Sequence, residues 1–241
     1  MMSIILNFIK DVHSECKPPF PDGPRMSTVR PMKTPDSKPT LAVHALILRY
    51  YRGQLEGLFI GPAEEAASEL WTLPSAVLQK GEGPVQTLKG VFGSEITECA
   101  IQFAEFGSFW SANDDGHYGC ISLGFLGLIK PDCAPQLSHQ AGDSAWHSLS
   151  CRPGLKSKCD VIVDSGLEYL RQRINVDTYP LALLPTKFRT KQARQLYSQI
   201  LGQPVAPRPF KAWLRRRHAV TRTGPGRFTR NHALKHDWLM D

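Results

Sequence analysis

Glu82, Glu95 and Glu98 are the carboxylates of the stretch WTLPSAVLQKGEGPVQTLKGVFGSEITEC, which runs from Trp71 to Cys99. Carboxylates gathered on one helix face can hold a divalent cation, and a hard ion such as Mg²⁺ needs several oxygen ligands in near-octahedral geometry. The supply here is thin. Glu98 follows Glu95 by three residues, so on a helix it points about 60° away, and Glu82 lies upstream of the helix. One remaining glutamate cannot build a metal site, so no metal and no catalytic residue is expected.

A second group carries the opposite charge. Lys191, Arg208, Lys211, Arg215, Arg216, Arg217 and Arg227 crowd the last quarter of the chain, with Thr190 and Gln192 beside them. From Lys187 to the end there are thirteen Lys and Arg against two Asp and Glu, whereas the preceding residues hold sixteen against twenty. The formal net charge of +7 is therefore concentrated in one module. A basic module on an acidic body suits a polyanion, and helix arginines can reach phosphates or guanine edges. No long apolar run accompanies these residues, which favours nucleic acid over a membrane.

The apolar pattern supplies the elements that must position both groups. Pro84 suits a first helical turn, and Val85, Leu88, Phe92 and Ile96 recur on one helical face, so the opposite face should point into a cleft. Upstream, TLAVHALILRYY and LEGLFI read as two strands joined by Arg52-Gly53-Gln54. His44 reads as a satisfied core or edge histidine rather than a ligand. Downstream, IQFAEFGSFWSA and HYGCISLGFLGLI read as strands around Asn113-Asp114-Asp115-Gly116, where Asp114 and Asp115 serve the turn. Gly119, Gly124 and Gly127 permit bending or close backbone approach. Asp143 to Leu149 gives a weak further strand, and Glu64, Glu65 and Glu69 belong to a solvated Ala-rich insertion. These pieces make a mixed sheet with a flanking helix, an α+β sandwich.

From Asp160, a helix with Val163, Leu167, Leu170 and Ile174 on one side bridges to the basic module. There Ala193, Leu196, Tyr197, Ile200 and Leu201 mark a helix with Thr190 as N-cap and Gly202 as its stop. A second helix opens near Pro207 or Pro209 and carries Phe210 and Leu214 inward. Ala219 to Arg222 and Arg227 to Thr229 can pair across Gly224-Pro225-Gly226. Helix, turn, basic helix and Gly-rich hairpin is the order of a winged helix-turn-helix, in which a wing residue such as Arg227 enters the minor groove.

Two features bound the remainder. Residues 1–39 include a proline-rich lead expected to be disordered. The N-terminal MMSIILNFIK is a poor signal peptide and too short to span a bilayer. Six scattered cysteines show no Cys-x-x-Cys pair, so reduced cytosolic thiols are expected, and a cytoplasmic protein with them.

The first stretch resembles a Nudix box, whose pattern is Gly, five residues, Glu, seven residues, Arg-Glu, an apolar residue, any residue, Glu-Glu, any residue, Gly. Trp71-x-Leu73-Pro74 matches the usual lead-in, and the pattern then falls on Ala76, Glu82, Gly90, Val91, Phe92, Ser94, Glu95 and Thr97. Val91 and Ser94 replace two of three metal-binding carboxylates and Gly90 replaces the arginine. The C-terminal Leu-Leu-Pro-x-Lys-Phe (Leu183 to Phe188), Leu-Tyr-x-x-Ile-Leu-Gly (Leu196 to Gly202) and Arg208-x-Phe210-Lys211 resemble the module of a bacterial family of Nudix-related transcriptional regulators, repressors of NAD biosynthesis. The resemblance covers about residues 40–232. It implies a Nudix-like mixed-sheet α/β/α sandwich followed by a winged helix-turn-helix. It divides the chain into a lead (1–39), a degenerate sensor domain (40–159), a bridging helix (160–177) and a DNA-binding domain (178–241).

As function, the resemblance implies a homodimer that binds a double-stranded DNA operator and responds to ADP-ribose or a related nucleotide, with no required cofactor. Trp71, Glu82 and Glu95 are the candidates for lining the nucleotide pocket. Thr190, Lys191, Gln192, Arg208, Lys211, Arg215, Arg216, Arg217 and Arg227 are the candidates for DNA contact. The alternatives are an active Nudix pyrophosphatase with a basic regulatory tail, and an RNA-binding or purely protein-binding module.

Overall fold

The two strands expected over residues 40–60 form the centre of the computed structural model, which describes residues 40–62, 70–112, 119–131, 133, 144–176, 178–217 and 220–231. All of these lie in one compact unit, Ser37–Asp241. The proline-rich lead, Glu64, Glu65, Glu69 and the turn at 113–116 lie outside the described residues.

β1 (Thr40–Tyr51) and β2 (Gln54–Ile60) make an antiparallel hairpin, with Arg52 and Gly53 turning the chain at φ of 47° and 85°. β1 runs parallel to β5 (Gly119–Ile129) on its other side. β4 (Ala100–Ala112) lies beyond β5, β6 (Ser144–Ser148) lies beyond β2, and the short β3 (Ser75–Val77) also pairs with β1. β4 and β5 are the strands expected around the unplaced turn. Gly124 and Gly127 are required there by close approach. A Cβ at Gly124 would lie 2.6 Å from the Phe106 ring, and one at Gly127 would lie 2.8 Å from Ile47.

One helix covers each face of this sheet. α1 (Pro84–Cys99) sets Leu88 and Phe92 against Val43, Ala45, Ile47 and Leu58. α2 (Ser157–Val176) sets Ile162, Val163 and Leu170 on the opposite side, against Leu46, Leu48, Phe59 and Leu126. Because β1 is buried from both sides, its sequence is a continuous apolar run rather than an alternation. Burying each large side chain stabilises the fold by about 1.5–3 kcal/mol relative to exposure. Among the described residues no helix is long and apolar enough to cross a membrane.

After α2, a wholly buried 3-10 turn (Tyr179–Leu183) leads into β7 (Lys187–Arg189), α3 (Thr190–Leu201), α4 (Pro207–Arg215), β8 (Val220–Gly224) and β9 (Arg227–Arg230). Both helices and the hairpin fall where the sequence places them, and Gly202 ends α3 with φ of 67°. Phe210 and Leu214 are buried as expected. β7 is an addition. It pairs with β9 and gives a three-stranded sheet of order β7-β9-β8. Phe188, Leu196, Tyr197, Phe210, Leu214 and Phe228 join the same buried cluster as the α2-facing side of the large sheet.

Three expectations are corrected. Arg189, not Thr190, caps α3. Its backbone N–H donates to Gln192 Oε1 at 2.8 Å, while the Thr190 backbone N–H and Oγ1 both donate to the Gly226 carbonyl, at 3.0 and 3.2 Å. The hairpin turn packs on the start of the helix and claims that hydroxyl. The thiols are not all reduced either, because Cys99 and Cys133 form a disulfide with Cα atoms 5.5 Å apart. Cys99 ends α1 and Cys133 follows β5, joined by a hydrogen bond from Lys130 N–H to the Cys99 carbonyl, a juxtaposition that a separation of 34 residues conceals. Finally, His44 is 8% exposed, but its Nδ1 has no hydrogen-bond partner, so it is a core histidine without the satisfied polar contact expected of one.

Candidate functional site

α1 turns Leu88 and Phe92 into the core and leaves Gly90 and Val91 at the edge of a cleft. The cleft has a volume of 340 Å³ and is lined by Ile60, Thr72, Leu73, Pro74, Ser75, Gly90 and Val91. Its walls come from the end of β2, the segment leading into β3, and the helix. The polar side-chain groups of that lining are the Thr72 and Ser75 hydroxyls. Such a surface can hold a neutral or planar group by contact and short hydrogen bonds.

Of the candidate pocket residues, Trp71 and Glu82 lie around this cleft rather than in its described wall. Trp71 precedes Thr72, and its ring meets His147 edge-on at a centroid distance of 4.5 Å. Its backbone is held by the Gly154 carbonyl and the Lys156 N–H, at 2.9 and 3.0 Å. Glu82 sits exposed in the loop before α1 and accepts a 3.4 Å hydrogen bond from Thr87 Oγ1. Glu95 lies one turn beyond Val91 in α1, where the backbone alone is described.

The described residues of the cleft do not by themselves make a site for a divalent cation. No carboxylate lines the cleft among the described residues, and none of their His, Cys, Asp and Glu side chains gather in threes. Among the described residues a hard cation would find two hydroxyls there, short of its oxygen requirement.

On the same sheet face as Ile60, cross-strand register assembles a group that the sequence reading missed. Arg49 pairs with Glu56 at 2.7 Å, and its guanidinium lies 4.2 Å from the Trp146 ring centroid and 4.8 Å from that of Tyr51. This fixes a cation between aromatic faces on that side of the sheet. Three strands contribute, and only the register Arg49↔Glu56 and Leu58↔Trp146 reveals it.

The basic residues of the C-terminal module occupy its surface. Lys191, Arg208, Arg215, Arg216 and Arg227 are exposed, and Lys211 is half-buried. Arg217 lies 4.7 Å over the Trp213 ring. Trp213 packs in turn on Tyr197 and Phe210, so that guanidinium is anchored to the core. Thr190 and Gln192 already serve internal hydrogen bonds, as described above.

Exposed Lys187, Arg189 and Arg222 extend the basic surface beyond the candidate residues. On the small sheet Arg189 stands directly opposite Arg227, and Phe188 opposite Phe228. The phenylalanines are buried, at 3% and 1% exposure, so strand alternation places both arginines outward. The pattern Lys-Phe-Arg could have revealed a half-buried strand, but three residues are too few for a sequence signal.

These elements define a Nudix-fold body of mixed sheet and flanking helices, continued by two helices and a basic hairpin. The fold is that of NrtR from Shewanella oneidensis, whose crystal structure superposes with a TM-score of 0.61 at 17% identity, covering 79% of this chain and 93% of that one. NrtR complexed with a 27mer DNA superposes at 0.62, with 16% identity over 79% of this chain and 92% of that one. A MutT/nudix family protein from Enterococcus faecalis superposes at 0.65, with 16% identity over 94% of this chain and 93% of that one. No model of a known protein family matches the sequence, and no curated protein does.

Proposed function

We propose that the protein is a homodimeric, ligand-responsive DNA-binding transcriptional regulator, a repressor of genes of NAD or related nucleotide metabolism. Its Nudix-like body is a catalytically inactive sensor of ADP-ribose or a related nucleotide, and its C-terminal module is a winged helix. The observation that carries this reading is the opposition of Arg189 and Arg227 on the small sheet, in a module whose helix α4 also exposes Arg208 and Arg215. Like charges directly across a strand pair are destabilising unless an anion lies between them, and a phosphate backbone supplies one. The resemblance of the two modules to the Nudix-related regulators supports the same class and a nucleotide as its effector. A cytoplasmic location is part of this proposal, because its DNA partner lies there.

In mechanism, α4 enters the major groove and the β8–β9 hairpin flanks it. A nucleotide in the cleft lowers DNA affinity to the extent that it binds the two conformations of the dimer unequally. Two copies related by a two-fold axis read a partly palindromic operator.

The test is a mobility shift with DNA upstream of the protein's own gene and its neighbours, in moderate salt with excess competitor DNA, without and with ADP-ribose or NAD. A specific shift relieved by one nucleotide is the expected result. A specific shift indifferent to both would overturn the sensing role and retain DNA binding. Binding that competes equally with RNA, or no specific shift, would overturn the regulator reading.

A further inference from the structure

Gln199 on the third turn of α3 reaches across to the β1–β2 hairpin. Its side-chain Nε2 donates to the Gly53 carbonyl at 2.6 Å, and its Oε1 accepts from the Leu55 N–H, also at 2.6 Å. These two backbone groups flank Gln54 at the tip of the hairpin. The pairing of β6 with β2 ends at Ser148 opposite Glu56, so among the described residues the edge of the hairpin beyond that point has no neighbouring strand. The Gln199 amide fills that place, donating and accepting as the N–H and C=O of one residue of an adjoining strand would.

Two further contacts bear on the same junction. Arg171 of α2 donates from Nε to the Ile200 carbonyl at 2.8 Å, holding the end of α3. β2 then runs from Leu55, at the clasp, to Ile60, whose side chain lines the cleft beside α1. At about 3.3 Å per residue the two ends of this single strand lie roughly 17 Å apart. Its interior is rigid, with Leu55, Leu58 and Phe59 buried at 2%, 0% and 0% exposure.

We propose that Gln199 is the positioning residue that couples the cleft to the DNA-binding helices, with β2 as the strut between them. This rests on the regulator reading above for its functional consequence, though the mechanical link stands on the contacts alone. A ligand that shifts Ile60 moves the β2 strand. The hairpin tip moves with it, and the amide clasp carries the displacement to α3 and from there to α4, which packs on α3 through Tyr197 against Phe210 and Trp213. The side chain acts by geometry, as a two-point connection that neither a single hydrogen bond nor an apolar contact would reproduce.

The experiment compares the full chain with Gln199→Ala and Gln199→Glu. Alanine and glutamate are both good helix formers, so α3 is retained. Glutamate can still accept from Leu55 N–H but sets a carboxylate oxygen against the Gly53 carbonyl, and so breaks one of the two points. Amide hydrogen exchange is read first. Peptides covering residues 50–56 and 190–201 should exchange about tenfold faster in Gln199→Ala, with α1 unchanged and circular dichroism the same. Protection unaltered in both peptides would overturn the link, whatever the function of the protein. The second readout is the factor by which ADP-ribose changes affinity for the operator. It should fall to near one in both variants while affinity for DNA without nucleotide stays within about twofold. A nucleotide effect of undiminished size in Gln199→Ala would overturn the coupling. If the unaltered protein shows no nucleotide effect, the sensing role fails separately and hydrogen exchange alone decides the link.

Discussion

Arg189 on β7 stands directly across from Arg227 on β9, in a register fixed by the neighbouring Lys187–Thr229 and Phe188–Phe228 pairs. Two outward guanidiniums in that relation repel, and the repulsion costs about 0.2–1 kcal/mol in a protein without an anion. Arg227→Glu turns it into an attraction. The variant should unfold at slightly higher urea concentration than the unaltered protein and lose operator affinity by at least tenfold. With Arg227→Ala, the slope of log affinity against log salt should become shallower by about one, the mark of one lost phosphate contact. An unchanged slope together with unchanged affinity would remove this pair from the DNA interface.

Gly90 offers a cleaner handle on the cleft. A Cβ there meets nothing within 4 Å, and the residue lies in α1 at the wall of the cleft. Gly90→Leu should stabilise the helix by up to about 1 kcal/mol, since glycine is a poor helix former, while filling space that a ligand would need. Calorimetric titration with ADP-ribose should show binding weakened at least tenfold, with the melting temperature level or raised. Undiminished binding would place the nucleotide elsewhere. Neither protein should hydrolyse ADP-ribose with Mg²⁺ or Mn²⁺, and measurable turnover by the unaltered chain would overturn the inactive reading of the box.

His44 makes the fold sensitive to acid. Burial chiefly, with the charge of Lys158 adding to it, lowers its pKa from 6.5 to about 4. The folded protein therefore keeps the imidazole neutral where the unfolded chain protonates it. Between these values the unfolded state binds more protons, so stability is full above about pH 6.5 and declines as pH falls towards 4. A shift of this size corresponds to a loss of about 3 kcal/mol. Urea midpoints measured across that range should fall for the unaltered protein and fall less steeply for His44→Leu. Parallel slopes for the two would assign the acid sensitivity to other groups.

Much of this architecture is legible in the sequence because its signals are local. The Pro84 start of α1, the Gly202 stop of α3 and the inward Phe210 and Leu214 of α4 each follow from residues within one or two turns. The same holds for the hairpin at Arg52–Gly53, where a turn sequence separates two apolar runs. The excess of arginine after Lys187 likewise needs no structure to be seen, nor does the replacement of box carboxylates by Val91 and Ser94.

Tertiary structure alone decided the contacts between segments distant in the chain. The Cys99–Cys133 disulfide joins residues whose spacing resembles no cysteine motif. Thr190 looked like a cap until the Gly226 turn folded onto it. Arg49, Glu56 and Trp146 meet through the register of three strands, and Gln199 finds the Gly53 carbonyl across 146 residues. The physical reason is common to all of these. Helix periodicity, caps and turns are set by neighbours a few residues away, whereas register and interlayer packing are set when distant apolar faces are buried together. The sequence by itself determined which elements form and where the charge lies; their burial against one another decided which polar groups meet.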